Sequence, residues 1–342
     1  MDTTYKEIQD TFNALTKTAK YIDGKWSEIE AFIRDKKRFI FVGCGSSYSI
    51  AKSYAAICNM STGVPASALA AGDILIHASR YKKMISGAAV VFISRSGRTS
   101  EILKALDALL EQKISFSVLS LIAAGDTPLS EKSDFSLETP WAFDESVCQT
   151  RCVTNFYFMG AYIFAKYTND KPVMDDLIYI AQSGAGFLSS AEKLAKELAP
   201  KTWNRAVVFA DAELEGLAEE GALVFKEVCQ LPANYYHVLD VRHGPIVLIG
   251  QHTLNILCLG SCCDLERSLI GDIRKKSEFV VAFSDRAVDV EGVTCINFGR
   301  QLQHIARGVP FIILCQLIAY EKSKETGANP DQPTGLDPWI AL

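Results

Sequence analysis

Two short turns concentrate the side chains that could do chemistry. In VVFISRSGRTSE, Val90 to Glu101, an apolar run stops at Ser94, and five of the next seven positions carry a hydroxyl or a guanidinium. In GCGSS, 43–47, glycines and serines follow a second apolar run. A phosphate ester is held by short hydrogen bonds from backbone N–H groups and hydroxyls, with glycine where the chain must come close. Ser46, Ser47, Ser94, Ser96 and Thr99 supply hydroxyls, and Gly45 and Gly97 supply room. Serine and threonine are also ordinary helix N-caps, which accounts for one such turn. Two of them, each flanking a glycine after an apolar run, point to an anion site that works without a metal. Neither turn spells GxGxxG, no acidic residue is placed for a ribose, and there is no Walker lysine pattern, so dinucleotide binding is disfavoured.

Such turns need a strand before them and a helix behind them, and the surrounding pattern supplies both. RFIFVGCG is followed by SIAKSYAAICNMST, AAVVFISRSG by TSEILKALDALLEQ, and ISFSVLSLIAA by a loop. Short apolar runs alternating with helical periodicity predict βαβ units and a parallel sheet covered on both faces. In such a sheet, ligands collect beyond the carboxyl ends of the strands, where helix N-termini offer free N–H groups. Helices are expected over 155–167, 175–198 and 310–322, and the alternation restarts at RAVVFADA, with further strands in HTLNILCLG, EFVVAFSD and VTCINFG. The stretch from Arg38 aligns without gaps on the stretch from Arg205, so GCGSS, 43–47, falls on Ala210, Asp211, Ala212, Glu213 and Leu214. A duplicated α/β domain is the expectation, with a phosphate cradle in one copy and an acidic turn in the other.

Composition narrows the class. A chain of 342 residues, 49% apolar, has room for two domains, and a net charge of −5 offers no clustered basic surface for nucleic acid. The amino terminus lacks the pattern of a signal peptide, and the longest greasy run, VPFIILCQLIAY, is too short for a bilayer, so a soluble protein with no membrane partner is expected. Ten scattered cysteines without a CxxC pair indicate neither a metal knot nor a disulfide framework. Cys148 with Cys152, and Cys262 with Cys263, read as buried small hydrophobes, which suits a reducing, cytoplasmic setting.

GCGSSYSIAKSY, FISRSGRTSEILKAL and SVCQTRCVTNF, followed by EEGALVFKEV and VRHGPIVLI, resemble the sugar isomerase (SIS) domain family from about Phe39 onward. The likeness is to the two-domain isomerase half of glucosamine-6-phosphate synthase and to stand-alone phosphosugar isomerases and deglycases. It implies an α/β fold of two SIS domains, each a parallel sheet flanked by helices in three α-β-α layers, flavodoxin-like. The domains would span 31–172 and 201–342, with helical segments over 1–30 and 173–200. It implies that Ser46, Ser47, Ser94, Ser96 and Thr99, with backbone around Arg95, hold the phosphate of a sugar, beside Gly45. Val147 and Gln149 would lie near the sugar, Gln149 standing where the family often has serine or alanine. The glutaminase module of the synthase begins with cysteine after the initiator methionine, whereas residue 2 here is Asp2, so glutamine-fed amide transfer is not expected.

Aldose–ketose interconversion needs one base to move a proton between adjacent carbons and an acid–base group to open the ring. Glu220 and Glu227 are seven apart and face the same way on a helix. By itself Glu227 reads as a solvated glutamate paired with Lys226 or Lys322; the resemblance makes it the base. An imidazole titrates near neutrality, and the resemblance gives ring opening to His243, in a homodimer where it reaches the neighbouring subunit's site. His77, His237, His252 and His304 read as satisfied structural histidines. The family's imine-forming lysine is replaced by Pro338, and a helix lysine by Val224, so an enzyme imine is not expected and no cofactor is required. The expected activity is phosphosugar isomerisation. The alternatives are a deglycase acting on 6-phosphofructosyl amines, with Asp211, Glu213 and Glu215 attracting the amine, and a sugar-phosphate sensor without turnover.

Overall fold

The computed structural model describes residues 2–337; Pro338 lies outside them. The first half runs α1 (Thr3–Gly24), α2 (Trp26–Ile33), β1 (Phe39–Gly43), α3 (Ser46–Ser61), β2 (Ala66–Ala70), α4 (Ala71–Ile85), β3 (Ala89–Ser94), α5 (Ser100–Leu110), β4 (Ser117–Ile122), α6 (Pro128–Glu131), β5 (Phe135–Glu138) and α7 (Arg151–Thr168). The second runs α8 (Lys171–Leu198), β6 (Arg205–Ala210), α9 (Glu215–Val228), β7 (Ala233–His237), β8 (Thr253–Cys258), α10 (Asp264–Arg274), β9 (Val280–Phe283), β10 (Thr294–Ile296) and α11 (His304–Thr326).

Two five-stranded sheets result, ordered β2-β1-β3-β4-β5 and β10-β9-β8-β6-β7, and every pairing in them is parallel. The predicted two-domain α/β architecture is therefore present. Central strands such as AVVFIS and TLNILC are buried along their whole length, as expected where helices cover both faces. Sheet order places β1 beside β3, so the two hydroxyl-rich turns emerge side by side at the carboxyl edge. Among the described residues, no helix is long and apolar enough to cross a membrane.

Between the sheets lies a layer of packed helices, in which α3 meets α9 and α11 meets α8. One apolar core runs through residues of both halves. The α3–α9 crossing is close because residue 216 is glycine: a Cβ there would lie 2.3 Å from the Ser49 carbonyl oxygen. That approach carries the α9 glutamates of the second half towards the turns of the first.

Several boundaries differ from expectation. The helices begin at Arg151, Lys171 and His304, earlier than the predicted 155, 175 and 310. Pro310 sits inside α11, not at its start, because the surrounding residues are almost all buried and packing outweighs the one lost backbone hydrogen bond. Cys263 is exposed, against the prediction, while Cys148, Cys152 and Cys262 are buried as read. Cys263 immediately precedes α10, where the Glu266 side chain accepts from its backbone N–H at 2.9 Å.

Candidate active site

The two turns form one wall of a cavity of about 200 Å³. Cys44, Gly45, Ser46 and Ser47 line it from the start of α3, and Arg95, Ser96 and Thr99 from the loop that opens α5. Val147 and Gln149 close one side from the loop before α7, and Glu227 enters from α9. Two helix N-termini thus meet at one spot, each presenting backbone N–H groups to an anion. The predicted set Gly45, Ser46, Ser47, Arg95, Ser96, Thr99, Val147, Gln149 and Glu227 is brought together, although these residues come from four separate stretches of chain.

The second turn is held by its own hydroxyls. Ser94 is buried; its Oγ lies 3.1 Å from Thr99 Oγ1 and accepts from the Gly97 backbone N–H at 3.1 Å. Ser94 therefore braces the turn from beneath while Ser96 and Thr99 face the cavity. Residue 97 has a left-handed backbone, φ +61°, and a Cβ on it would meet Thr127 Oγ1 at 2.3 Å. Only glycine fits. Arg95 turns its guanidinium to the neighbouring loop, Nη1 donating to the carbonyls of Ser146 at 2.7 Å and Val147 at 3.1 Å. The sugar-side loop and the phosphate-side turn are so fixed to each other.

The loop before α7 is anchored from behind. Asp144 is buried and accepts from the Thr150 and Cys152 backbone N–H groups, and Glu7 of α1 accepts from those of Glu145 and Ser146. The Val147 N–H donates to the carbonyl of Asp331, so the carboxyl-terminal segment is tied to the same loop. Leu336 and Asp337 of that segment join Ile93, Glu101 and Ile102 in lining the cavity.

Glu227 is half-buried, and burial pushes its carboxyl up to about 7 against the opposing pull of the Cys148 thiol, Arg95 and Lys226. A carboxyl at that value is divided between acid and base at neutral pH, the condition under which it can take a proton and return it. Glu220, two turns back along the same face of α9, is 1% exposed; burial and the charge of Glu227 push it well above the usual carboxylate range, opposed by the Ser46 hydroxyl. Its burial beneath the first turn favours the protonated form. The Lys322 ammonium donates to the carbonyls of Ala199 and Lys201, and Lys322 is not among the described residues that line the Glu227 cavity.

Two groups escaped the sequence reading. Cys148, taken as a buried hydrophobe, is indeed buried but places its thiol against Glu227; its position between Val147 and Gln149 was the available signal. His304, taken as structural, lies between Asp211 and Glu213. His243 is not at the cavity of its own chain. It is exposed at the end of a 3₁₀ turn, Asp240–His243, in a surface concavity with His237, Leu239 and Asp240. Val224 is buried in the core, and no lysine is among the described residues that line the Glu227 cavity.

Comparison with known proteins bears on the family and the fold. Residues 32–162 match the family model described as SIS domain. The chain is 23% identical over 341 residues to the glutamine–fructose-6-phosphate aminotransferase (isomerizing) of Methanothermobacter thermautotrophicus, covering 97% of this chain and 56% of the relative. It is 25% identical over 313 residues to the enzyme of that name from Photorhabdus laumondii, covering 86% and 50%. The chain thus spans about half the length of these curated relatives. Among solved structures, the fold matches tagatose-6-phosphate ketose/aldose isomerase from Escherichia coli with a TM-score of 0.86 at 21% identity, covering 99% of this chain and 97% of that one. It also matches the C-terminal domain of glucosamine-fructose-6-phosphate aminotransferase from Francisella tularensis, TM-score 0.80 at 20% identity, covering 97% and 98%.

Proposed function

With residues 32–162 belonging to the SIS domain family and the whole chain homologous to the isomerase half of glutamine–fructose-6-phosphate aminotransferases, we propose that this protein is a phosphosugar isomerase. It moves a proton between carbons 1 and 2 of a 6-phosphorylated sugar or amino sugar. The observation that carries the reading is the presence, in one cavity, of two hydroxyl-lined helix N-termini and a carboxyl raised to about 7.

The phosphate rests on Ser46, Ser47, Ser96, Thr99 and the Arg95 backbone, with Ser94 bracing the turn. Binding energy at the phosphate fixes the reacting carbons against Glu227, so that proton transfer is effectively intramolecular. Glu227 takes the proton from carbon 1 and returns it to carbon 2; in between, the carbonyl oxygen on carbon 2 gains a proton to give the enediol, and the hydroxyl on carbon 1 gives one up as it becomes the new carbonyl. The thiol of Cys148 keeps its own proton, being raised by burial and by Glu227, and stays a neutral neighbour of the carboxylate. Ring opening falls to His243 from a second copy of the chain. That part rests on its exposure and on the apolar residues beside it, Val247 and Leu248, 75% and 54% exposed.

The test is conversion of fructose 6-phosphate to an aldose 6-phosphate, read beside release of free amine from a 6-phosphofructosyl amino acid. Aldose without amine release supports the isomerase; amine release alone overturns it. Asp211, Glu213 and Glu215, the residues suggested for attracting the amine in the amine-releasing alternative, are not among the described residues lining the Glu227 cavity.

Two further outcomes follow. Since the base must be ionised, kcat/KM falls about tenfold per pH unit below about 7 and is level just above it; a profile flat from pH 5 to 8 contradicts the assignment. Arg95→Lys loses the two-carbonyl grip on residues 146 and 147, so KM rises about tenfold while kcat stays within about threefold, as steady-state kinetics would read.

A further inference from the structure

A second cavity, of about 280 Å³, occupies the position in the second half that corresponds to the Glu227 cavity in the first. The gapless alignment of the halves sets Glu213 on Ser46 and Glu227 on Met60. The turn conformation is kept as well: Gly45 has φ +52° and Ala212, its counterpart, φ +50°, a left-handed backbone that strains any residue carrying a Cβ. His304 opens α11 as Arg151 opens α7. Where the first cavity is built from Ser46, the loop before α7 and Glu227 of the other half, the second is built from Glu213, from Gln303 and His304 at the start of α11, and from Ile57 and Met60 of the other half.

Its chemistry is the inverse of a phosphate cradle. His304 Nδ1 lies 3.0 Å from Glu213 Oε1 and Nε2 lies 3.2 Å from Asp211 Oδ1. Burial opposes a charge on the ring, but the two carboxylates outweigh it and push the imidazole up to about 9. An imidazolium has no lone pair for a metal. One positive ring between two carboxylates leaves one negative charge over. Glu213 is only 8% exposed, lines the cavity, and its Oε2 has no hydrogen-bond partner. Neither lysine nor arginine is among the described lining residues; these include the apolar Ile57, Met60, Phe164 and Val173 and one further carboxylate, Asp170, whose Oδ1 accepts from the Val173 N–H at 3.2 Å.

We propose that this cavity is a second ligand site, for a small primary alkylammonium ion, with the ammonium on Glu213 Oε2 and the alkyl chain against Phe164, Ile57 and Met60. A buried carboxylate oxygen without a partner is costly, and an ammonium donor both satisfies it and neutralises the residual charge. The site is separate from the sugar site: α3 joins them, and the fourteen helical steps from Ser46 to Met60 span about 20 Å. The proposal therefore stands independently of the isomerase reading.

The test is a calorimetric or ligand-observed NMR titration of the whole chain with n-butylammonium chloride, with sodium butyrate and 1-butanol as controls at matched ionic strength. Saturable binding of butylammonium is expected, with no binding of butyrate and at least about tenfold weaker binding of 1-butanol. Glu213→Gln weakens butylammonium by about tenfold or more. Met60→Lys, at a position 64% exposed and so tolerant of substitution, does the same by charge repulsion; it carries the test if Glu213→Gln does not fold. Absence of saturable binding, equal binding of 1-butanol, or full binding by a folded variant overturns the proposal.

Discussion

Glu227→Gln lowers turnover of fructose 6-phosphate by about a thousandfold and leaves its dissociation constant within about threefold. The glutamine keeps the size and a hydrogen-bonding edge of the side chain but cannot accept a proton from carbon. The phosphate contacts come from other elements, the turns before α3 and α5, so binding persists. Single-turnover kinetics together with a binding titration separate the two effects. A parallel fall in affinity and turnover would instead make Glu227 a structural support of the pocket.

The same substitution has a signature in stability. The Glu227 carboxyl stands at about 7 in the fold against an ordinary value of 4.5, so the folded chain favours the protonated form. Its contribution is fully present below pH 4.5 and is lost as pH rises through about 7. Glu227→Gln removes that loss: the variant melts above the parent at pH 8.5, and the two converge near pH 4.5. A base kept ionisable in a half-buried place costs stability, as active sites often do.

Gly97→Ala destabilises the protein by about 2–3 kcal/mol and abolishes measurable phosphosugar binding. Two effects add: φ at +61° strains an L-residue, and the new Cβ would lie 2.3 Å from Thr127 Oγ1 and 2.6 Å from Thr127 Cβ. Thr127 cannot yield easily, since it is buried and its Oγ1 accepts from the Ser130 N–H at the start of α6. The comparison is Gly87→Ala, where φ is +74° but a Cβ meets nothing within 4 Å. That variant loses only the strain energy and keeps its affinity. Equal melting temperatures and affinities for the two variants would remove the turn from the binding site.

What was legible in the sequence was whatever is local and buried on both faces. AVVFIS and RAVVFA read as strands because each is an unbroken apolar run, and the turns behind β1 and β3 read as anion sites because their hydroxyls lie within a few residues of one another. ASALA, FSLE and ANYYH were missed as strands: they lie at sheet edges, are partly exposed, and carry no continuous apolar signal. Pro310 misled because proline is common at the first helical turn, and only tertiary burial explains a helix that begins at His304. The acidic turn at 211–213 was visible in the alignment of the halves, but its histidine was not, because His304 arrives from α11 at the far end of the chain. The contacts of Cys148 with Glu227 and of Ser46 with Glu220 likewise join segments that only the meeting of α9 with the first half brings together.

Proton exchange tests the central claim most directly. The chain is incubated with fructose 6-phosphate in deuterium oxide, and carbons 1 and 2 are followed by proton NMR beside a Glu227→Gln sample. The account predicts deuterium entering one of these carbons with the parent protein and not with the variant, whether or not an aldose accumulates. Saturable binding of fructose 6-phosphate by the parent with no exchange at either carbon, or exchange that survives Glu227→Gln, would contradict it.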